Sequence, residues 1–158
     1  MRPLPLSKII AAVGGSPDTV GSEDSIVTGI STDSRKVEPG ELFIPLSGDR
    51  FDGHEFIQGA FERGALASLA SRAVPLEPGR CLVRVADTLA ALEALALYQR
   101  QELDFEVTAI TGSVGKTTTK EFLREILGSE CAVAAAPKSF NNRLGVSLTL
   151  LEADEETR

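Results

Sequence analysis

The sequence predicts an α/β fold in two sections. Residues 1–85 read as an N-terminal α/β domain, and residues 86–158 as the start of a P-loop parallel-sheet ATPase domain. Three observations predict this. Short apolar runs alternate with helix-like stretches up to about Val85, which is the pattern of a layered α/β architecture. The texture changes at Asp87 to an Ala/Leu-rich helix. The stretch "AITGSVGKTTTKE", residues 109–121, then sits between an apolar run and a helical pattern, as a phosphate-binding turn does.

The elements follow in order. "LSKIIAAVGG" is a short helix stopped by Gly14 and Gly15. "IVTGIS" and "ELFIPL" are strands joined by the turn-rich "TDSRKVEPG". "GHEFIQGAFERGA" sets Phe56, Ala60 and Phe61 on one helical stripe, with Ile57 between them. "ALASLAS" and "CLVRVA" are strands separated by the Pro-rich "AVPLEPGR". "DTLAALEALALYQRQEL" is a helix of good propensity with Asp87 or Thr88 as its N-cap. "FEVTAIT" is a buried-type strand, "TTKEFLREILG" a helix stopped by Gly128, and "CAVAAA" a second strand, so a βαβ unit begins near Phe105. No internal repeat is visible.

Composition narrows the function. A hydrophobic share of 42% with 25% charged residues belongs to a globular chain. No apolar run approaches the ~20 residues of a bilayer span, and the first ten residues lack a signal-peptide core, so a cytoplasmic protein without a membrane partner is expected. Cys81 and Cys131 stand alone, which suits free thiols. A net charge of −7 argues against nucleic acid. An anionic ligand must therefore be met by local positive charge.

The Gly-Ser-Val-Gly-Lys-Thr turn supplies it. Its glycines let N–H groups approach phosphate oxygens, and a helix starting near Lys116 aims its positive dipole end at the same place. Thr111, Gly112, Ser113, Val114, Gly115, Lys116, Thr117 and Thr118 are the expected ATP-binding residues. Lys116 reaches the terminal phosphates, and the Thr117 hydroxyl is a Mg²⁺ ligand. These two carry the catalytic expectation. Ile110 stands where the longer G-x-x-x-x-G-K-[ST] pattern has glycine, so the loop is a shorter form. No N-K-x-D follows it, and the one D-x-x-G, Asp18 to Gly21, lies upstream, which excludes a Ras-type GTPase.

With these residues in view, the sequence resembles the Mur ligases, the ATP-dependent amide ligases of bacterial peptidoglycan precursor synthesis. "TGSVGKTTTKE" is similar to their ATP loop. "STDSRKVEPGELFIPLSGDRFDGHEFIQGAFERGA" resembles the N-terminal domain shared by the branches adding the third residue and D-alanyl-D-alanine. "KSFNNRLGVSLTLL" resembles the D-alanyl-D-alanine-adding branch. Folylpolyglutamate synthetase shares the loop style but lacks the front motif.

The resemblance implies a fold and a division of labour. The N-terminal domain holds the uridine-diphosphate end of UDP-MurNAc-tripeptide, the central domain binds ATP and Mg²⁺, and a C-terminal domain brings D-Ala-D-Ala. It implies that Ser31, Thr32, Asp33, Ser34 and Arg35 line the UDP pocket, with Asp49, Phe51 and Asp52 nearby. Hydroxyls and a carboxylate suit a uracil edge, and a guanidinium suits a pyrophosphate. Without the resemblance, "TDSR" reads first as a sound turn, since short polar turns are common. Asn141 and Asn142 follow the second strand at the sheet's carboxyl edge, where such folds bind ligands, or form a turn before "LGVSLTLL". Lys120 and Glu121 read as a solvated face, "EADEET" as a solvated loop, and the lone His54 as structural or surface rather than a base.

By implication the tripeptide carboxylate attacks the terminal phosphorus of ATP, and the amine then attacks the resulting acyl phosphate. The family's next acidic Mg²⁺ ligand, modified lysine, adenine-binding region and amine-binding domain are not in these 158 residues. The chain is therefore expected to be the N-terminal piece of a monomeric ligase, unable alone to complete the reaction. The alternatives are a ligase adding the third residue, or a UDP-precursor-binding piece without catalysis. Residues 105–158 are expected to leave an apolar face uncovered, and to be mobile or to pack against another copy.

Overall fold

The computed structural model describes residues 1–18, 24–48, 51–137 and 142–158. The chain forms two compact units, Met1–Leu95 and Ala96–Arg158.

The first unit opens with β1 (Leu4–Pro5) and α1 (Leu6–Val13), which ends where Gly14 and Gly15 bond back to Ala11 and Ile10. Then come β2 (Ser16–Pro17), β3 (Ile26–Val27), β4 (Ile30–Ser31) and β5 (Leu42–Phe43). A hairpin of β6 (Ser47–Gly48) and β7 (Phe51–Asp52) leads into a 3₁₀ turn, Gly53–Phe56, and α2 (Ile57–Glu62). The unit continues through β8 (Ala67–Ala70) and β9 (Cys81–Arg84).

The main sheet runs β2-β9-β8-β5-β4, parallel except where β2 pairs antiparallel with β9. Proline in β2 fits an edge strand, where its missing N–H costs no ladder bond. The central strand β8, "ASLA", is buried on both faces, as a parallel strand covered on both sides must be. The core packs Val37, Phe43, Ile57, Ala60, Phe61, Ala65, Ala70 and Leu82.

Two expectations are corrected here. "IVTGIS" is not one strand: β3 pairs with β1, β4 joins the main sheet, and the chain changes sheets at Thr28–Gly29. The buried stripe is Ile57, Ala60 and Phe61, while Phe56 is exposed. The cause is the 3₁₀ turn, whose tighter winding rotates Phe56 out of the phase an α-helix would give it.

Helix α3 (Thr88–Glu102) spans the division between units and starts where Asp87 Oδ1 accepts the Ala90 N–H at 2.7 Å. The second unit contains α4 (Lys116–Gly128) and α5 (Arg143–Glu152). Its small core joins Leu103, Phe105 and Ala153, with Ala134 and Leu150 against it. Gln99 is fully buried, and its Nε2 meets the carbonyls of Leu150, Leu151 and Ala153 at 3.2, 3.1 and 2.7 Å. One side chain thereby satisfies the open end of α5.

The expected strands at 105–111 and 131–136 do not form ladders: among the described residues the only pairing is a parallel bridge, Ala132 to Thr157. A strand exists by its neighbours, and neither segment has two. Gly128 is the last residue of α4 and Ser129, still right-handed, caps it. α4 buries no residue, and Phe122 and Ile126 are 65% and 64% exposed, so an apolar face stands uncovered. The acidic tail is more than solvated: Asp154 accepts from Glu156 and Thr157 N–H groups and the Thr157 hydroxyl, while Ala153 and Thr157 are buried. Among the described residues no helix is long and apolar enough to cross a membrane.

Candidate functional site

The first candidate site is the turn before α4. Gly112 at φ 145° and Gly115 at φ 83° take conformations that a Cβ disfavours. Gly115 occupies the N-cap position in the left-handed region, and its carbonyl accepts the first helical bond, from Thr119 N–H at 2.9 Å. Left-handed glycine followed by right-handed helix turns successive N–H groups toward one side, the geometry of an anion nest. Among the described residues the N–H groups of Ser113, Val114, Gly115, Lys116 and Thr118 donate to no protein partner. The helix dipole adds positive potential where they converge.

Lys116 folds back over the turn, its Nζ 2.5 Å from the Gly112 carbonyl. In that position the ammonium closes the loop over the space an anion would fill. Thr111, Thr117 and Thr118 are exposed, the last two in the first turn of α4. The donor set fits a nucleotide's terminal phosphates. Lys120, half a turn further, is not simply solvated: its Nζ reaches the Ala136 carbonyl at 2.5 Å and Glu121 at 2.7 Å.

Asn142 occupies a different role from the expected one. Its Oδ1 accepts the Gly145 N–H at 2.8 Å and caps α5, and among the described residues the segment before it, 131–137, forms no ladder. The capping rule could have found this helix, since Asn followed by "RLGVSLTLLE" is an N-cap before a helical stretch. Asn141 lies outside the described residues.

The second candidate site belongs to the first unit, where loops leave the carboxyl ends of its parallel strands. After β4, Ser31 Oγ donates to the Asp33 carbonyl at 3.0 Å and Lys36 N–H closes a turn onto the same carbonyl at 2.9 Å. Arg35 forks onto Asp33, Nε to Oδ1 and Nη2 to Oδ2, both at 2.9 Å. The Arg35 side chain and then its N–H hold the Asp33 carboxyl at about 2, below its usual 3.8. Among the described residues the hydroxyls of Thr32 and Ser34 make no hydrogen bond. After β5, Phe51 is 56% exposed and stacks on Phe56 with ring centroids 5.4 Å apart. Asp49 lies outside the described residues.

Asp52 is the hub of this edge. Its Oδ1 takes the His54 N–H at 3.0 Å, His54 Nδ1 at 2.6 Å and Ser47 Oγ at 2.9 Å. Its Oδ2 takes Arg72 through Nε at 2.9 Å and Nη2 at 2.8 Å. The main-chain bond from His54, then its ring, hold the Asp52 carboxyl well below the usual carboxylate range. Asp52 is thus spent on the protein's own groups. His54 is buried, and its Nε2 accepts the Ser71 N–H at 3.0 Å. A main-chain N–H can only donate, so Nε2 carries the lone pair and Nδ1 the proton that faces Asp52. Sequence reading missed Ser71 and Arg72. The available signal was "SR" directly after an apolar strand, at the sheet edge where ligands of such folds gather.

Among the described residues no cluster of three or more His, Cys, Asp or Glu side chains is placed to hold a metal. Neither cysteine is in a disulfide, with Cys81 buried and Cys131 partly so.

Two family descriptions match successive parts of the chain. The family described as "Mur ligase family, catalytic domain" matches residues 26–105, and that described as "Mur ligase middle domain" matches residues 110–158. The UDP-N-acetylmuramoyl-tripeptide–D-alanyl-D-alanine ligase of Bacillus subtilis is 46% identical over 136 residues, 85% of this chain and 30% of that protein. Crystal structure II of MurF from Acinetobacter baumannii is similar over 99% of this chain and 34% of its own, with a TM-score of 0.89 and 34% identity. MurF ligase from Thermotoga maritima in complex with ADP is similar over 79% of this chain and 29% of its own, with a TM-score of 0.69 and 33% identity. The chain therefore spans about a third of the length of the relatives it matches.

Proposed function

The chain belongs to the Mur ligase family, and from that membership we propose that it supplies the substrate-binding domain and phosphate loop of a MurF-type ligase. That ligase joins D-Ala-D-Ala to UDP-MurNAc-tripeptide in the cytoplasm at the expense of ATP. The observation that carries the reading is the row of unpaired N–H groups from Ser113 to Lys116 at the start of α4, with Lys116 bent over them. The likeness to a MurF solved with ADP supports it.

In the proposed reaction the tripeptide carboxylate oxygen attacks the terminal phosphorus of ATP, and ADP leaves. The amine of D-Ala-D-Ala then attacks the acyl carbon of the acyl phosphate, and phosphate leaves. The free amides and the Lys116 ammonium spread the charge that develops on the transferred phosphoryl oxygens. Mg²⁺, when bound, neutralises further charge there, with the Thr117 hydroxyl as a ligand. On the first unit, the Thr32 and Ser34 hydroxyls meet the uracil edge, and the Phe51 ring offers a stacking face.

Calorimetric titration with Mg·ATP tests the reading. Wild type is expected to bind, and Lys116→Ala to bind at least about tenfold more weakly, the scale of a lost charged hydrogen bond. Equal binding by both would remove the loop from the mechanism. Binding of UDP-MurNAc-tripeptide with no ATP affinity at all would instead support a precursor-binding role alone.

A further inference from the structure

We propose that Arg72 forms, with Arg35, a two-sided guanidinium clamp for a diphosphate at the carboxyl edge of the first unit's parallel sheet. The clamp rests on the reading of this unit as the binder of a nucleotide-linked precursor. It deepens that reading by assigning an anion-binding residue that lies in none of the sequence motifs.

Topology brings the two arginines to one edge. Strands β4, β5 and β8 are parallel neighbours, with Ser31, Phe43 and Ser68 in register. The turn carrying Arg35 and the segment carrying Arg72 therefore leave the sheet in the same direction, on opposite sides of β5. Two strand spacings separate their points of departure, about 10 Å. Long arginine side chains bridge such a gap from both sides.

The two residues are also built alike. Each guanidinium sets its Nε and Nη2 against one aspartate, Arg35 on Asp33 and Arg72 on Asp52. That fork fixes the plane of the group in advance, so less rotamer freedom remains to be lost when an anion arrives. In both cases the other edge remains available. Among the described residues the Arg35 Nη1 has no partner, and the Arg72 Nη1 meets only the Ala73 carbonyl, at 3.4 Å. The side chains are 83% and 49% exposed. Guanidinium edges of this kind match phosphate oxygens in pairs.

Arg72 is held more firmly than a surface ion pair requires. Asp52 fixes its side chain, and the buried His54 ring fixes the preceding main chain through the Ser71 N–H. The same ring bonds Asp52, so His54 is a positioning residue that locks both ends of Arg72 to the β6–β7 hairpin. Ser47 adds a further bond to the same carboxylate.

The test titrates the 158-residue chain with UDP, uridine and inorganic pyrophosphate, using wild type, Arg72→Gln and Arg72→Lys. Arg72→Lys keeps a cation for Asp52 and guards against a failure of Arg72→Gln to fold. We expect wild type to bind UDP and pyrophosphate. Either substitution is expected to weaken both by about tenfold while leaving uridine affinity unchanged. A merely structural role would shift uridine and UDP together, and that result would overturn the clamp. Unchanged UDP affinity in both variants would also overturn it, while the nucleotide reading of the unit stood. Pyrophosphate binding lost in the variants, with no UDP binding in wild type, would keep the clamp and remove the nucleotide reading. No binding of either anion by wild type would overturn both.

Discussion

In the first unit the charged candidate residues are held by other side chains, whereas in the second the N–H groups of Ser113 to Lys116 have no protein partner among the described residues. Asp33 holds Arg35, and Asp52 holds Arg72, His54 and Ser47, on loops anchored to a five-stranded sheet with a continuous apolar core. The loop at Gly112–Lys116 is set by two glycine conformations, the Lys116 bond to the Gly112 carbonyl and the start of a helix that buries none of its residues. The difference teaches that side-chain sites need a scaffold to fix rotamers, while a nest of amides is fixed by backbone dihedrals alone.

That contrast can be broken or sharpened by measurement. The largest effect is expected from the first unit's core: Phe43→Ala should cost about 3–5 kcal/mol in urea unfolding. Phe122→Ala on α4, truncating an equally large but exposed ring, should stay within about 0.5 kcal/mol. Similar losses from both would mean that α4 is packed in solution and would end the contrast. An intermediate effect is expected at Gln99, the one buried polar side chain holding the end of α5. Gln99→Met keeps the volume but leaves three carbonyls unpaired, and should cost about 1–2 kcal/mol. A neutral result would show those carbonyls reaching water.

The smallest effect is a pH dependence of the first unit. Asp33 has a folded value of about 2 against 3.8 ordinarily, because Arg35 bonds its ionised form. A depressed carboxyl adds stability above its unfolded value and loses it as protons bind the folded state. The Asp33–Arg35 contribution is therefore complete above about pH 4 and should fade as pH falls from 3.8 toward 2. The fading should be absent in Asp33→Asn. A variant that retains the same slope would assign the acid sensitivity elsewhere, Asp52 first.

Much of this was legible in the residues themselves. The turn before α4 was, because its glycines, lysine and following helix are consecutive and need no distant partner. The stop of α1 at Gly14 and the cap of α3 at Asp87 are local in the same sense. The strands of the second section were misread because apolar runs such as "CAVAAA" become strands only when neighbours pair with them. Phe56 was placed on the wrong face because four consecutive residues of 3₁₀ winding leave no mark in the hydrophobic pattern.

By itself, then, the sequence determined an α/β chain of the Mur ligase family, through motifs that succeed one another along the chain, and a turn at Gly112–Gly115 whose shape short-range backbone geometry dictates. Only the tertiary structure decided that Asp52 serves Arg72 and His54, and that Ser71 and Arg72 leave the same end of the sheet as Arg35. Arg72 follows Arg35 by more than thirty positions, and parallel strands join such distant segments through register. Register is a property of the assembled sheet, and no local stretch of residues encodes it.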